Sequence, residues 1–225
     1  NDAASGAKST VKQQRAEKRE VKVAAFKREQ ARQKRTRTIT IWVSAVAGAA
    51  VIALIATLVI VTNTPKADPL SIELTGLKTW NVEGGQHVDP TPVDYLAKYE
   101  MDPPAGGEHW SGWLNCGVYT APQENERAVH SLEHGAVWVT YNPDQISGDK
   151  LKALQDRLPG TFSVLSPYPG LKSPLVISAW GAQLALTGVN DERLDGFVAR
   201  YWKSGTAPEL GAACTGAVDG PGKVS

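Results

Sequence analysis

From Ile39 to Val61 the chain reads ITIWVSAVAGAAVIALIATLVIV, 23 residues without a charge. At about 1.5 Å rise per residue this stretch makes a helix roughly 34 Å long, enough for a hydrocarbon core of about 30 Å. A long core helix of a soluble domain would carry a polar stripe, and here the only polar side chains are Thr and Ser. No A-x-A-like site closes the run, so it reads as an uncleaved signal anchor rather than a cleaved signal peptide. Ahead of it, TVKQQRAEKREVKVAAFKREQARQKR mixes charge with Ala and Gln and contains no Pro. That composition predicts a helix from about Val11 to Arg35 that can run on into the apolar span. A solvated, partly ordered tail is the plain alternative.

After the linker TNTPKADP (62–69) the pattern becomes that of a folded body, which we place at 70–215, with a Gly/Pro-containing tail at 216–225. About 150 residues suffice for a single core. NVEGGQHVDPTPVDY and MDPPAGGEHWSGWLNCGVY are dense in Gly and Pro and predict loops, with short strands at 78–82 and 117–119. AVWVTY (136–141), a β-branched and aromatic run closed by Asn142-Pro143, predicts a strand. Leu151, Leu154 and Leu158 fall at helical spacing within 147–158, as do Leu194, Phe197, Val198 and Tyr201 within 191–202. FSVLSP and LVISAWG read as strands. The order strand, helix, strand, strand, helix predicts an α+β domain of two layers, with helices on one face of the sheet.

Charge adds a direction. The chain holds 24 basic and 23 acidic residues, yet residues 1–38 hold 12 against 4, leaving 12 against 19 for 39–225. A basic arm therefore precedes the span and an acidic body follows it. The flank KREQARQKRTRT, set against the single lysine of TNTPKADP, places residues 1–38 in the cytoplasm and the body outside. Trp42 near one boundary fits an interfacial aromatic. The arm is suited to anionic lipid or to a protein partner; only charge would argue for nucleic acid, and none is expected. Cys116 and Cys214 are the two cysteines, and both lie in the outer body. An even count in an oxidising compartment points to one disulfide, with two separate buried thiols as the alternative. Closing a loop of about 100 residues would remove about 4–5 kcal/mol of unfolded-state freedom on the entropy model.

The candidate chemistry lies in HSLEHG (130–135). Four histidines serve the whole chain, and His130 and His134 stand four apart with Glu133 between them. H-x-x-E-H matches a zinc-peptidase motif, but that motif needs a sustained helix, and between ENERAV and Gly135 only about one helical turn is expected. A metal site does not need the long helix, because positions i and i+4 share a face in a single turn. Further candidates lie upstream: Met101, the only methionine, His109, and less strongly His87. Methionine with histidine, where no free thiol is expected, suits copper. Glu133 would then orient a ligand ring. The bland alternative is four structural histidines bonding loop backbone under a tryptophan-rich cover. Trp110 and Trp113, in a Pro/Gly-rich loop, are candidates to face a partner. No Ser/His/Asp ordering, phosphate-binding glycine loop or C-x-x-C is present.

PPAGGEHWSGWLNCGVY, AVHSLEHGAVWVTYNP and the late CTG resemble the DUF3105 family of actinobacterial membrane proteins, over roughly 77–216. Where that family's pattern has PP-x-S-G-x-H, residues 103–109 read PPAGGEH, so glycine replaces the serine and no hydroxyl is available there. The resemblance implies an anchor with its N-terminus inside, an extracytoplasmic domain and the Cys116–Cys214 pairing. It implies a site built on His109, His130, Glu133 and His134, but no known reaction. Family members come from organisms whose cytochrome bcc and copper–haem oxidase form large respiratory assemblies. The expected protein is a non-catalytic, single-pass accessory or assembly subunit of such a membrane complex. It would hold copper through His109, His130, His134 and Met101, without a small-molecule substrate. The alternatives are a stand-alone extracytoplasmic copper-binding protein and a zinc-dependent hydrolase using H-x-x-E-H.

Overall fold

The computed structural model describes residues 11–63 and 67–224. The first ten residues of the arm, 64–66 of the linker and the last residue of the tail lie outside the described residues. The chain divides into two compact units, 1–66 and 67–225.

Unit one is a single helix, α1 (Val11–Asn63), so the arm and the apolar run are continuous. Its 53 residues extend about 80 Å at 1.5 Å each. The stretch with mean hydropathy 2.4 makes it long and apolar enough to cross a membrane. Thr40 and Thr57 of the apolar run return their hydroxyls to Thr36 O at 3.0 Å and Ala53 O at 2.8 Å, so neither needs an outside acceptor.

Unit two is α+β, as expected. After a short 3-10 turn (Pro69–Ser71) come β1 (Lys78–Thr79), α2 (Tyr95–Tyr99), β2 (Gly117–Val118), α3 (Asn125–Glu133), β3 (Val137–Tyr141), α4 (Gly148–Gln155), β4 (Ser163–Pro167), β5 (Leu175–Ala179), β6 (Ala182–Leu186) and α5 (Arg193–Tyr201). The six strands form one mixed sheet in the order β1-β6-β5-β3-β4-β2. β4 lies parallel to both β3 and β2, whereas β5 runs antiparallel to β3 and β6. LVISAWG, expected as one strand, supplies β5 and then turns at Trp180-Gly181 into β6.

Strand side chains alternate between faces. Val137, Val139 and Tyr141 of β3 join Leu154 of α4 and Leu194 and Phe197 of α5 in one apolar cluster. Trp138 points the other way, into a cluster with Val164, Tyr95 of α2 and Ala128, Val129 and Leu132 of α3. Helices therefore cover both faces rather than one, because β3 is buried at every position and neither face can be left to water. The second face is the one that carries the histidines.

Candidate metal centre

α3 spans nine residues, longer than the single turn its sequence neighbourhood suggested. His130 lies in its last turn and His134 caps its C-terminus, with φ −74° and ψ −5°. Gly135 follows at φ +98°, the left-handed conformation that ends a helix, and a side chain there would also press on Leu210 Cδ1 at 3.0 Å. The helix thus stops where β3 must start, and both imidazoles remain on one side, ring centroids 4.6 Å apart.

Three histidines are oriented in the same way. His109 Nδ1 lies 2.7 Å from Gly107 O, His130 Nδ1 lies 2.6 Å from Trp110 O, and His134 Nδ1 lies 2.6 Å from Ala213 O. A carbonyl oxygen only accepts, so each Nδ1 must carry the proton and donate it. In the neutral ring this leaves Nε2 as a lone pair, the arrangement that metal-binding histidines use. Burial pushes His130 down to about 4, His109 and His134 adding to the effect and the Trp110 carbonyl opposing it.

Glu133 completes the inner part. Its Oε1 accepts the Gly85 N–H at 2.5 Å. Its Oε2 lies 2.9 Å from His109 Nε2, and both side chains are fully buried. The pair stands at ion-pair distance but is not aligned as a hydrogen bond, and both atoms are left without a partner. Burial alone would raise the Glu133 carboxyl, but the His109 ring, when it carries a proton at Nε2 as well, and the Gly85 amide hold it below its ordinary range. Gly84 makes the approach of this loop feasible: a Cβ there would sit 2.5 Å from Glu133 Oε1 and 2.6 Å from Pro208 Cβ.

His87 joins through backbone pairing. Val88 N–H donates to His109 O and His109 N–H to Gln86 O, which sets the His87 ring 5.0 Å from His109 and stacked on His130 at 4.9 Å. Two groups of ligand atoms result, each within 4.8 Å: His87, His109, His130 and Glu133, and then His130, His134 and Glu209.

The expected ligand set is thereby rearranged. His109, His130 and His134 converge, His87 belongs with them, and Glu133 stands among the ligand atoms rather than behind them. Met101 sits in the apolar cluster, 1 % exposed, with its Sδ accepting the Ala105 N–H at 3.3 Å. Trp110 and Trp113, expected to face a partner, are half-buried beside the cluster. Trp110 supplies the carbonyl for His130, and its indole N–H donates to Thr91 O. The Trp113 ring lies 5.0 Å from His134 and 5.8 Å from His130. Glu209, Gly84 and Gly85 were not foreseen. Glu209 lies in a tail without a motif, and only a contact between distant segments reveals it.

That tail is held by the Cys116–Cys214 disulfide, across a separation of 98 residues. Cys116 N–H also donates to Cys214 O at 2.6 Å, and Glu209 N–H donates to Glu133 O at 3.1 Å. The bond thus fixes Ala213, whose carbonyl orients His134.

These features define a class: an α+β domain with a buried imidazole–carboxylate cluster, in a chain that also carries a helix long and apolar enough for a membrane. The family model for a protein of unknown function, DUF3105, matches residues 92–216, more than half of the chain, and the chain belongs to that family. The matched segment contains His109, His130, Glu133, His134, Glu209 and both cysteines; His87 and α1 fall outside it. No curated protein and no solved structure matches the chain.

Proposed function

We propose that the globular unit binds a divalent transition-metal ion through His87, His109, His130 and Glu133, and that α1 holds it on a membrane. One observation carries the reading. His109 Nε2 and Glu133 Oε2 are fully buried, 2.9 Å apart and without hydrogen-bond partners. A carboxylate facing an imidazole lone pair in a dry interior is costly, and a cation between such atoms satisfies both. Imidazole with carboxylate suits Cu²⁺ or Zn²⁺, whereas a thioether such as that of Met101 would favour Cu⁺. The bound ion would supply Lewis acidity or a cargo for transfer.

The remaining parts support an accessory role. The basic flank favours a cytoplasmic N-terminus, and the disulfide is at home in an oxidising compartment outside the membrane. About half of α1 is basic and extends past the apolar run, which suits a lipid surface or a larger membrane assembly. A copper-using respiratory oxidase is the assembly whose chemistry would need such an ion.

The test is metal titration of the full-length protein in detergent, with Cu²⁺ and Zn²⁺ followed by calorimetry and metal analysis. One ion per chain is the result expected, with loss on Glu133→Ala or His109→Ala. A well-folded wild-type protein that holds neither ion at micromolar concentration would overturn the reading. Affinity capture of the intact membrane form, probed for oxidase subunits, tests the partner.

A further inference from the structure

The two ligand groups share His130, and only one of its nitrogens is available. Nδ1 is committed to Trp110 O at 2.6 Å, so Nε2 alone can reach an ion. One lone pair holds one ion. The group of His87, His109, His130 and Glu133 and the group of His130, His134 and Glu209 are therefore alternative positions, not a pair that fills together. Resting on the metal-binding reading above, we infer that the cluster passes a divalent transition-metal ion between an outer and an inner position, with His130 as the pivot.

The two positions differ in access. In the inner one His87 is exposed but the other three ligands are buried, His109 and Glu133 without any exposed side-chain surface. In the outer one His134 is buried, but the Glu209 carboxylate is 45 % exposed and lies 3.3 Å from His134 Nε2. Glu209 can thus meet a hydrated ion and draw it onto His134 and His130. The step inward is a ligand exchange without oxidation or reduction. The bonds to Glu209 and His134 break, those to Glu133, His109 and His87 form, and the bond to His130 is kept. One carboxylate replaces another, so the charge around the ion is unchanged. Trp113 lies over the shared edge, its ring 5.8 Å from His130 and 5.0 Å from His134. Such a site takes up and surrenders its ion, as a carrier would, rather than locking it in place.

Stopped-flow loading with Cu²⁺, read as tryptophan quenching, and release to excess chelator test this on the full-length protein. Glu209→Gln is a surface change that leaves the inner ligands intact. It should slow both loading and release by about tenfold or more, with a much smaller change in Kd. His87→Ala, which removes the exposed ligand of the inner position, should weaken Kd by a larger factor than it slows loading. Copper bound to that variant should shift in its electron paramagnetic resonance spectrum toward the outer ligand set. Three results would overturn the relay: unchanged rates in Glu209→Gln with one ion still bound, two ions bound at once by the wild type, or slow loading in His87→Ala with Kd unchanged. The first of these leaves the metal site standing and removes only the relay. Absence of any ion in the wild type removes both.

Discussion

Val137, Val139 and Tyr141 look into one interior and Trp138 into another, so β3 divides two regions of different chemistry. On the α4/α5 side the interior is Leu, Ile, Val and Phe, closed by residues that need nothing further. On the α3 side a similar apolar floor supports three imidazoles and a carboxylate, each oriented by a backbone carbonyl or amide, from Gly107 and Trp110 of one loop and from Gly85 and Ala213 of two others. The first region gains free energy from burial; the second accepts a cost, with buried polar atoms of His109, Glu133 and Trp113 left unpaired. A fold that tolerates such a cost on one face depends on the other for stability.

The comparison is sharpened most by the disulfide. Replacing Cys116 and Cys214 by Ser should lower stability by about 4–5 kcal/mol on the entropy model. The damage should concentrate on the histidine face, since Glu209 and Ala213 lie on the strap that the bond secures. Denaturant unfolding combined with copper titration checks this; unaltered metal affinity in the folded fraction would count against the strap. Next in size, Phe197→Ala opens a cavity under α5 and should cost about 3–5 kcal/mol, while the folded fraction keeps its ion. Loss of the ion along with stability would mean that the two faces are not independent. Glu133→Gln should do the reverse. Metal affinity should fall by about a hundredfold, equivalent to about 2.7 kcal/mol. The metal-free fold should match or exceed wild type within about 1 kcal/mol, because the amide still accepts from Gly85 and donates to His109 Nε2. Thermal melts without metal and titrations with it separate the two effects.

The division between the faces was only half legible in the sequence. The apolar side announced itself: Leu151, Leu154 and Leu158, and Leu194 with Phe197, mark α4 and α5 because helical spacing is a local signal. The hairpin at Trp180-Gly181 was missed, since Gln183 and Gly181 interrupt the apolar run that would identify β6. HSLEHG signalled a site through the rarity of histidine, but not its form. The ligand atoms come together through pairing of residues 86–88 with 109, through the loop at Gly84 and Gly85, and through a tail tied across 98 residues. None of these contacts has a local spacing to read. Met101 is ambiguous for the converse reason: a lone methionine near histidines is also what a core gap requires.

The smallest effect falls on the apolar side, and it is the one that pH can isolate. Asp191, at the start of α5, binds the Arg193 guanidinium at 2.6 Å and accepts from the Thr187 N–H and hydroxyl, each at 3.0 Å. Arg193 is the main cause that holds this carboxyl well below its ordinary value of 3.8, against a smaller opposing effect of burial. A carboxylate held low in the folded state contributes stability that is complete above the unfolded value and is lost as pH falls toward the folded one. Asp191→Asn should therefore cost about 1–2 kcal/mol at neutral pH, and the gap to wild type should close as acid protonates the native carboxylate. Urea unfolding of both proteins from pH 7 down to pH 2.5 measures that gap. A difference that stays constant over the range would mean that the side chain acts through hydrogen bonds that asparagine also lacks at neutral pH, not through its charge. Copper affinity of the variant at pH 7 should equal that of the wild type, because Asp191 belongs to the face that has no ligand to place.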